Sequence, residues 1–150
     1  MKVAIFLGSK NDLEFAKEAE RVFKEFRVEY ESIICSAHRS AEKLVAEIKR
    51  VEKREAQVLI GMAGYAAHLP GTLASRSYLP VLGVPLPTSD LGGIDSLLSI
   101  AQMPAGVPVA TFGLGKPGAK NAALFAIQIL SSKDISLKKQ WEKYRKKLSG

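Results

Sequence analysis

Cysteine and histidine are scarce in this chain of 150 residues, which has one cysteine, Cys35, and two histidines, His38 and His68. A single cysteine cannot form a disulfide within the chain. Neither C-x-x-C nor H-x-x-H spacing occurs, so we expect no metal site. A G-x-S-x-G nucleophile elbow is also missing, which argues against a serine hydrolase of that type.

Long apolar segments are missing as well. No run approaches the roughly 20 residues that cross a bilayer. The apolar part of residues 1–8 is too short for a signal peptide and lacks a cleavage site. Together with the single cysteine, this predicts a cytoplasmic protein without a membrane partner. The composition, 47% hydrophobic and 25% charged, is that of an ordinary globular protein, and the length predicts one domain over residues 1–150.

Acidic residues are outnumbered, 15 against 22 basic residues, for a formal net charge of +7. Much of this excess lies in the last predicted helix, where basic side chains typically form a solvated face. No RGG tract or recognised nucleic-acid motif is present, so we expect no nucleic-acid partner. The charge instead suits the attraction of anionic, phosphorylated small molecules.

Apolar runs alternate with helical patterns five times along the chain. The runs predict strands at 2–7, 28–35, 57–62, 80–85 and 107–113. Three- and four-residue spacing predicts a helix after the first strand, a short one with Pro70 in its first turn, and others at 40–54, 94–102, 118–132 and 134–148. This alternation predicts an α/β fold, a three-layer α/β/α domain with a flavodoxin-like parallel sheet of order 2-1-3-4-5 and a C-terminal helix extension.

In such a sheet, ligands bind beyond the carboxyl ends of the strands, at the point where the strand order reverses. The loops after strands one, two and three all open there. They carry the polar residues of the chain that stand out: Ser9, Asp12, His38, Arg39, Gly64 and His68. We therefore expect these residues to share one crevice.

Several of these residues also have a purely structural interpretation. Ser9 and Asp12 match a helix capping box as well as an anion site at a helix start. Arg39 suits a phosphate or carboxylate, but equally a surface salt bridge. His68 fits a structural or a supporting active-site role. Gly64, with its small neighbours, allows either close approach of a ligand or tight packing of helix on sheet.

The turn Ser36-Ala37-His38-Arg39-Ser40 places a histidine where a strand ends and a helix begins. Histidine can both donate and accept a proton near neutral pH. An exposed histidine at a helix start is the alternative. Cys35, just before this turn, is most simply a buried residue at the end of the strand.

The last helix carries an apolar stripe formed by Leu137, Trp141, Tyr144 and Leu148. Such a stripe can pack on its own domain or on a neighbouring subunit. We expect the neighbour, and the small residues of helix 118–132 would also permit close contact between subunits.

Five blocks in order resemble one known family, and the likeness runs from about residue 3 to about residue 132. The blocks are Gly8-Ser9-Lys10-x-Asp12, Ser36-Ala37-His38-Arg39, Ala63-Gly64-x-Ala66-Ala67-His68-Leu69-Pro70-Gly71, Asp95-Ser96-Leu97-x-Ser99-Ile100-x-Gln102-Met103-Pro104 and Asn121-Ala122-Ala123. Together they resemble 5-(carboxyamino)imidazole ribonucleotide mutase of purine biosynthesis.

The resemblance implies a role for each matching residue. His38 would be the catalytic proton shuttle, while Ser9 and Arg39, with N–H groups of the loop from Gly8, would bind the substrate phosphate. Asp12 would bind the ribose, and Ser36, Gly64 and His68 would form the pocket for the base and carboxylate. The family needs no metal or organic cofactor, and its members are homo-octamers.

Two other functions remain open. The sister enzyme, aminoimidazole ribonucleotide carboxylase, shares the fold but typically has lysine at the position of Arg39 and lacks the block around His68. The other alternative is a non-enzymatic flavodoxin-like module that binds a nucleotide. Tyr65 departs from the mutase pattern, which usually has glycine there.

Overall fold

The computed structural model describes residues 1–148, in which five parallel strands form one sheet. The strands are β1 (Val3–Leu7), β2 (Tyr30–Ile34), β3 (Val58–Ala63), β4 (Val81–Pro85) and β5 (Ala110–Thr111). Their order is β2-β1-β3-β4-β5, with β1 at the centre of the reversal, paired to β2 through Val3 and Tyr30 and to β3 through Val3 and Val58. The predicted α/β fold and strand order are confirmed.

Helices cover both faces of the sheet. They are α1 (Leu13–Glu25), α2 (Ala41–Lys53), α3 (His68–Arg76), α4 (Ile94–Ala101), α5 (Gly115–Ser131) and α6 (Ile135–Leu148). Along a strand, successive side chains point to opposite faces. In β1, Val3, Ile5 and Leu7 therefore join the core under α1 and α5, whereas Ala4 and Phe6 join the core under α2 and α3. None of these six helices is long and apolar enough to cross a membrane.

The edge strand β5 is shorter than predicted, with Ala110–Thr111 in place of 107–113. Pro108 has no N–H to donate to a ladder, and β5 pairs only with β4, through Leu82 and Gly83. Helix α5 begins at Gly115 instead of residue 118. Proline is tolerated in a first helical turn, so Pro117 does not delay this start.

Helix α6 packs on its own domain through the first part of the predicted stripe. Leu137 is buried, and Trp141 and Tyr144 lie against Phe26, with ring centroids 6.4 and 5.4 Å from it. Leu148 stays 65% exposed. Most of the stripe is therefore used within the subunit, and contact of this helix with a neighbouring subunit stays a prediction.

Candidate active site

A cavity of about 580 Å³ opens at the carboxyl ends of β1 to β4. It contains every residue that the sequence singled out for a site: Gly8, Ser9, Asp12, Ser36, His38, Arg39, Gly64 and His68. These residues come from three loops of separate origin in the chain, and the reversal of strand order at β1 brings the loops together. The predicted crevice is thus present, and its contacts indicate what each residue can do.

The loop after β1 turns at Ser9 and enters a single 3-10 turn, Lys10–Asp12, before α1. The Ser9 N–H donates a hydrogen bond of 2.8 Å to Oδ2 of Asp12, which is one half of a capping box. Asp12 is 6% exposed, yet it lines the cavity. Capping and ligand binding are therefore compatible here, because one carboxylate holds the loop and borders the cavity.

Burial raises the pKa of the Asp12 carboxyl above its usual range, since the charged form loses hydration. The hydrogen bond from Ser9 and the positive charge of Arg39 act in the opposite direction, but more weakly. Hydroxyl groups of a ligand that donate hydrogen bonds to this carboxylate would favour its charged form.

Arg39 lines the cavity and reaches the residue that follows β1. Its Nη2 donates a long hydrogen bond of 3.4 Å to the carbonyl of Gly8, while its backbone N–H donates to Oγ of Ser36 at 3.2 Å. Within residues 1–148, Arg39 forms no ion pair. The salt-bridge alternative is thus not realised there, and most of the guanidinium donors are free for an anion.

His38 and His68 meet although they are 30 residues apart, with Nε2 of His38 and Nδ1 of His68 separated by 2.5 Å. The rings are nearly perpendicular, at 72°, and both side chains are exposed to the cavity. A hydrogen bond between two imidazoles needs one N–H and one lone pair, so the pair cannot hold it when both rings are fully protonated. When one ring supplies the N–H and the other the lone pair, this contact restrains the orientation of both rings.

The glycines of the β3 segment divide into two kinds. A Cβ at Gly61 would lie 3.0 Å from Leu73 and 3.1 Å from Pro70, so this glycine lets α3 pack closely on the sheet. A Cβ at Gly64 would lie 1.7 Å from Oγ1 of Thr88, so this glycine lets two loops of the cavity wall meet. Packing explains Gly61, and loop approach explains Gly64.

Tyr65 has a φ of 53°, in the left-handed region that glycine adopts without cost. Its side chain is 63% exposed at the rim of the cavity. The backbone of this loop thus keeps a conformation suited to glycine, and the ring adds an aromatic face to the rim.

Further side chains that sequence reasoning did not assign to the site also line the cavity, among them Asn11, Glu14, Phe15 and Thr88. Asn11 lies inside the Ser9–Asp12 block, and Phe15 follows it on the helix, so both could have been found from the first loop. Thr88 follows β4, the fourth strand to end at this edge. The rule that ligands bind beyond the carboxyl ends of parallel strands predicted the positions of the other three loops, and it also applies to the loop that carries Thr88.

Cys35 lies beneath the loops and is 3% exposed. Burial raises the pKa of its thiol, which disfavours the reactive thiolate. No group of three or more His, Cys, Asp or Glu side chains that could hold a metal ion occurs in residues 1–148.

A parallel sheet of order β2-β1-β3-β4-β5 with a cavity at its strand-order reversal defines a flavodoxin-like α/β domain. The sequence comparison makes the class specific. Residues 2–150 match the family model described as AIR carboxylase, and the chain belongs to that family.

Named relatives agree with the resemblance drawn from the five blocks. The chain is 52% identical, over 95% of its length and 89% of the relative, to N5-carboxyaminoimidazole ribonucleotide mutase of Saccharolobus solfataricus. It is 45% identical, over 97% of its length and 86% of the relative, to the enzyme of that name from Escherichia coli. The crystal structure of Treponema denticola PurE superposes with a TM-score of 0.89 at 28% identity, covering 98% of this chain and 90% of that one. The family assignment from sequence is thus confirmed.

Proposed function

We propose that this chain is an isomerase of purine biosynthesis that converts 5-(carboxyamino)imidazole ribonucleotide to 4-carboxy-5-aminoimidazole ribonucleotide. The observation that carries the proposal is the contact of His38 with His68 inside the cavity where all eight predicted residues gather. The relatives' shared name supplies the reaction, and the cavity supplies residues with matching chemistry.

The substrate phosphate binds between the loops after β1 and β2. Ser9 contributes its hydroxyl, the Gly8–Ser9 backbone its N–H groups, and Arg39 a guanidinium that no carboxylate in residues 1–148 occupies. Asp12 accepts hydrogen bonds from the ribose hydroxyls, which favours its charged form in the complex. The net positive charge of the chain helps to attract the anionic substrate.

The reaction requires one proton to be delivered and one to be removed. When the bond between the exocyclic nitrogen and its carboxylate breaks, carbon dioxide leaves and His38 donates a proton to the nitrogen. The ring carbon then attacks the trapped carbon dioxide, and His38 takes up the proton that this carbon loses. One histidine thus returns to its starting state, as general acid–base catalysis requires.

His68 supports this shuttle because its Nδ1 lies 2.5 Å from Nε2 of His38 and orients the ring. Ser36 and Gly64 complete the pocket for the base and carboxylate. Small residues around Gly64 leave room for the substrate to approach the backbone and to retain carbon dioxide near the ring. The proposed chemistry uses no metal or organic cofactor.

A second function is favoured by the description of the matched family, which names a carboxylase. In that reaction, free carbon dioxide would add to aminoimidazole ribonucleotide in the same cavity. Arg39 and the block around His68 favour the mutase, because the carboxylase typically has lysine at the position of Arg39 and lacks that block. The need for added bicarbonate distinguishes the two reactions.

We further propose that the enzyme works as a homo-oligomer, an octamer, in the cytoplasm. Helix α4 and the loop before it expose apolar side chains, with Leu91, Ile94 and Leu98 each more than half exposed. A second copy of the chain would cover such a surface. Sedimentation equilibrium tests this proposal, and a monomer at every concentration would contradict it.

The function is tested by mixing the protein with 5-(carboxyamino)imidazole ribonucleotide, without bicarbonate, and following the carbon-carboxylated product by ultraviolet absorbance. Rapid and reversible product formation is expected. His38→Asn should abolish turnover while substrate still binds, because the variant loses the proton shuttle and keeps the phosphate contacts. Activity only with aminoimidazole ribonucleotide and bicarbonate would establish the carboxylase instead, and normal turnover by His38→Asn would refute the assigned role.

A further inference from the structure

Thr88 is a cavity residue whose hydroxyl has no hydrogen-bond partner among the described residues 1–148. It lies three residues beyond β4, is half-buried and lines the cavity with Gly64 and His68. Within residues 1–148, its Oγ1 neither donates nor accepts a hydrogen bond, although its backbone N–H donates to the carbonyl of Leu86 at 2.9 Å.

The backbone around Thr88 is held by other hydroxyl groups. The fully buried Ser96 donates to the carbonyl of Leu86, at 3.0 Å, and lies 2.9 Å from that of Gly93. Ser89 donates to Asp95 at 2.9 Å and accepts from the N–H of Leu91 at 3.2 Å. The loop is thus fixed on both sides of Thr88, and Thr88 itself is not needed as an anchor.

The position of Thr88 also indicates which end of the substrate this residue would contact. Neighbouring strands lie about 5 Å apart, so the loop after β4 is about 10 Å from the loop after β1, where the phosphate binds. Oγ1 of Thr88 is in contact with Gly64, in the loop that leads to His68. It therefore lies on the side of the histidine pair, where the base and its carboxylate would be.

From this placement, and resting on the proposed function, we infer that Thr88 is a further substrate-binding residue. Its hydroxyl donates a hydrogen bond to the imidazole–carboxylate end of the bound ribonucleotide. A carboxylate only accepts hydrogen bonds, so a free hydroxyl on a fixed loop is a suitable partner. The interaction is present in substrate and product alike, and its loss should raise KM with little effect on kcat.

The test compares Thr88→Val, which keeps the shape and loses the hydroxyl, with Thr88→Ser, which keeps the hydroxyl. A hydrogen bond to a charged group corresponds to roughly tenfold to a hundredfold in affinity, so Thr88→Val should raise KM by that factor. Thr88→Ser should remain within about threefold of the wild type, since it keeps the donor. Thr88→Ala serves if valine prevents folding. Thr111→Val, the same exchange on the edge strand away from the cavity, should leave both constants unchanged.

Calorimetry with two probes separates the ends of the ligand. Thr88→Val should weaken binding of 4-carboxy-5-aminoimidazole ribonucleotide and leave binding of ribose 5-phosphate unchanged. An unchanged KM, or equal losses in the valine and serine variants, would overturn the inference while leaving the proposed function intact. An inactive wild-type enzyme would instead overturn the proposed function, and this inference with it.

Discussion

Substitution of Gly64 by alanine should destabilise the protein through one identifiable contact. The new Cβ would lie 1.7 Å from Oγ1 of Thr88, 3.1 Å from its Cβ and 3.2 Å from the carbonyl of Leu86. Ser96 donates a hydrogen bond to the Leu86 carbonyl, so the loops of Gly64 and Thr88 can separate only with a loss of folding free energy. Overpacking typically costs about 1 to 3 kcal/mol, and alanine recovers about 0.4 to 1 kcal/mol by restricting the unfolded chain.

The two ranges leave a net loss of about 0 to 2.6 kcal/mol in the free energy of unfolding, and their midpoints give about 1.3 kcal/mol for Gly64→Ala. For a chain of this size, a loss of about 1.3 kcal/mol lowers Tm by about 3 to 5 °C. Urea denaturation at fixed protein concentration measures the free energy, because association would otherwise change the result. A shift of about 1 Å in this loop could also lower turnover roughly a hundredfold.

A double-mutant cycle assigns the effect to the contact itself. Thr88→Ala removes Oγ1, so the pair Gly64→Ala and Thr88→Ala should recover at least about 1 kcal/mol relative to the sum of the single variants. Gly113→Ala is the matched control, since nothing lies within 4 Å of its Cβ, and it should be no less stable than the wild type. A Gly64→Ala variant as stable as this control would show that the loops meet without strain, and the reasoning would fail.

Three further perturbations test individual residues. Arg39→Ala should raise KM roughly tenfold to a hundredfold, as for a lost charged hydrogen bond, whereas Arg21→Ala, which removes an arginine paired to Glu18 on α1, should leave KM unchanged. Burial raises the folded-state pKa of Asp12 above its unfolded value, so the charged carboxyl opposes folding as pH rises past about 4. Asp12→Asn should therefore be more stable than the wild type at pH 7 in urea titrations, and this difference in stability should disappear in acid. The variant should also bind substrate more weakly. Equal stability of the two proteins at pH 7 would contradict the burial argument. Tyr65→Gly should be at least as stable as the wild type in thermal denaturation. Relief of the left-handed φ of 53° contributes about 1 to 2 kcal/mol, whereas the added freedom of glycine in the unfolded chain costs about 0.4 to 1 kcal/mol. A clear loss of stability would show that the exposed ring contributes packing.

The fold follows from periodicity wherever a segment has a strong pattern of its own. β1 is an unbroken apolar run because both faces are covered, and its five residues are all buried. α1 alternates apolar and charged positions because one face packs on the sheet and the other meets solvent. Such signals are local, so they can be read from sequence without knowing the partners.

The elements that differed from prediction depend on partners that are distant in sequence. Strand β5 pairs with β4 only at Leu82 and Gly83, and the apolar pattern of residues 107–113 does not reveal where that pairing begins and ends. The stripe on α6 could pack on any apolar surface of suitable size. Its contact with Phe26 depends on where α1 ends relative to α5, and no pattern within α6 contains that information.

In the candidate site, the strand order was enough to predict where the loops lie, but it could not predict which side chains of those loops are in contact. Parallel order alone brings the loops of His38 and His68 to one edge of the sheet. The approach of the two rings to 2.5 Å depends on the backbone turn that follows each strand, and that turn has no sequence period. Gly61 and Gly64 are identical residues in one segment, yet the first serves helix packing and the second a meeting of loops. The two glycines differ in the residue that lies nearest to each: Leu73, on a helix, for Gly61, and Thr88, on a loop, for Gly64. The structural role of a small residue here therefore depends on the element that it faces.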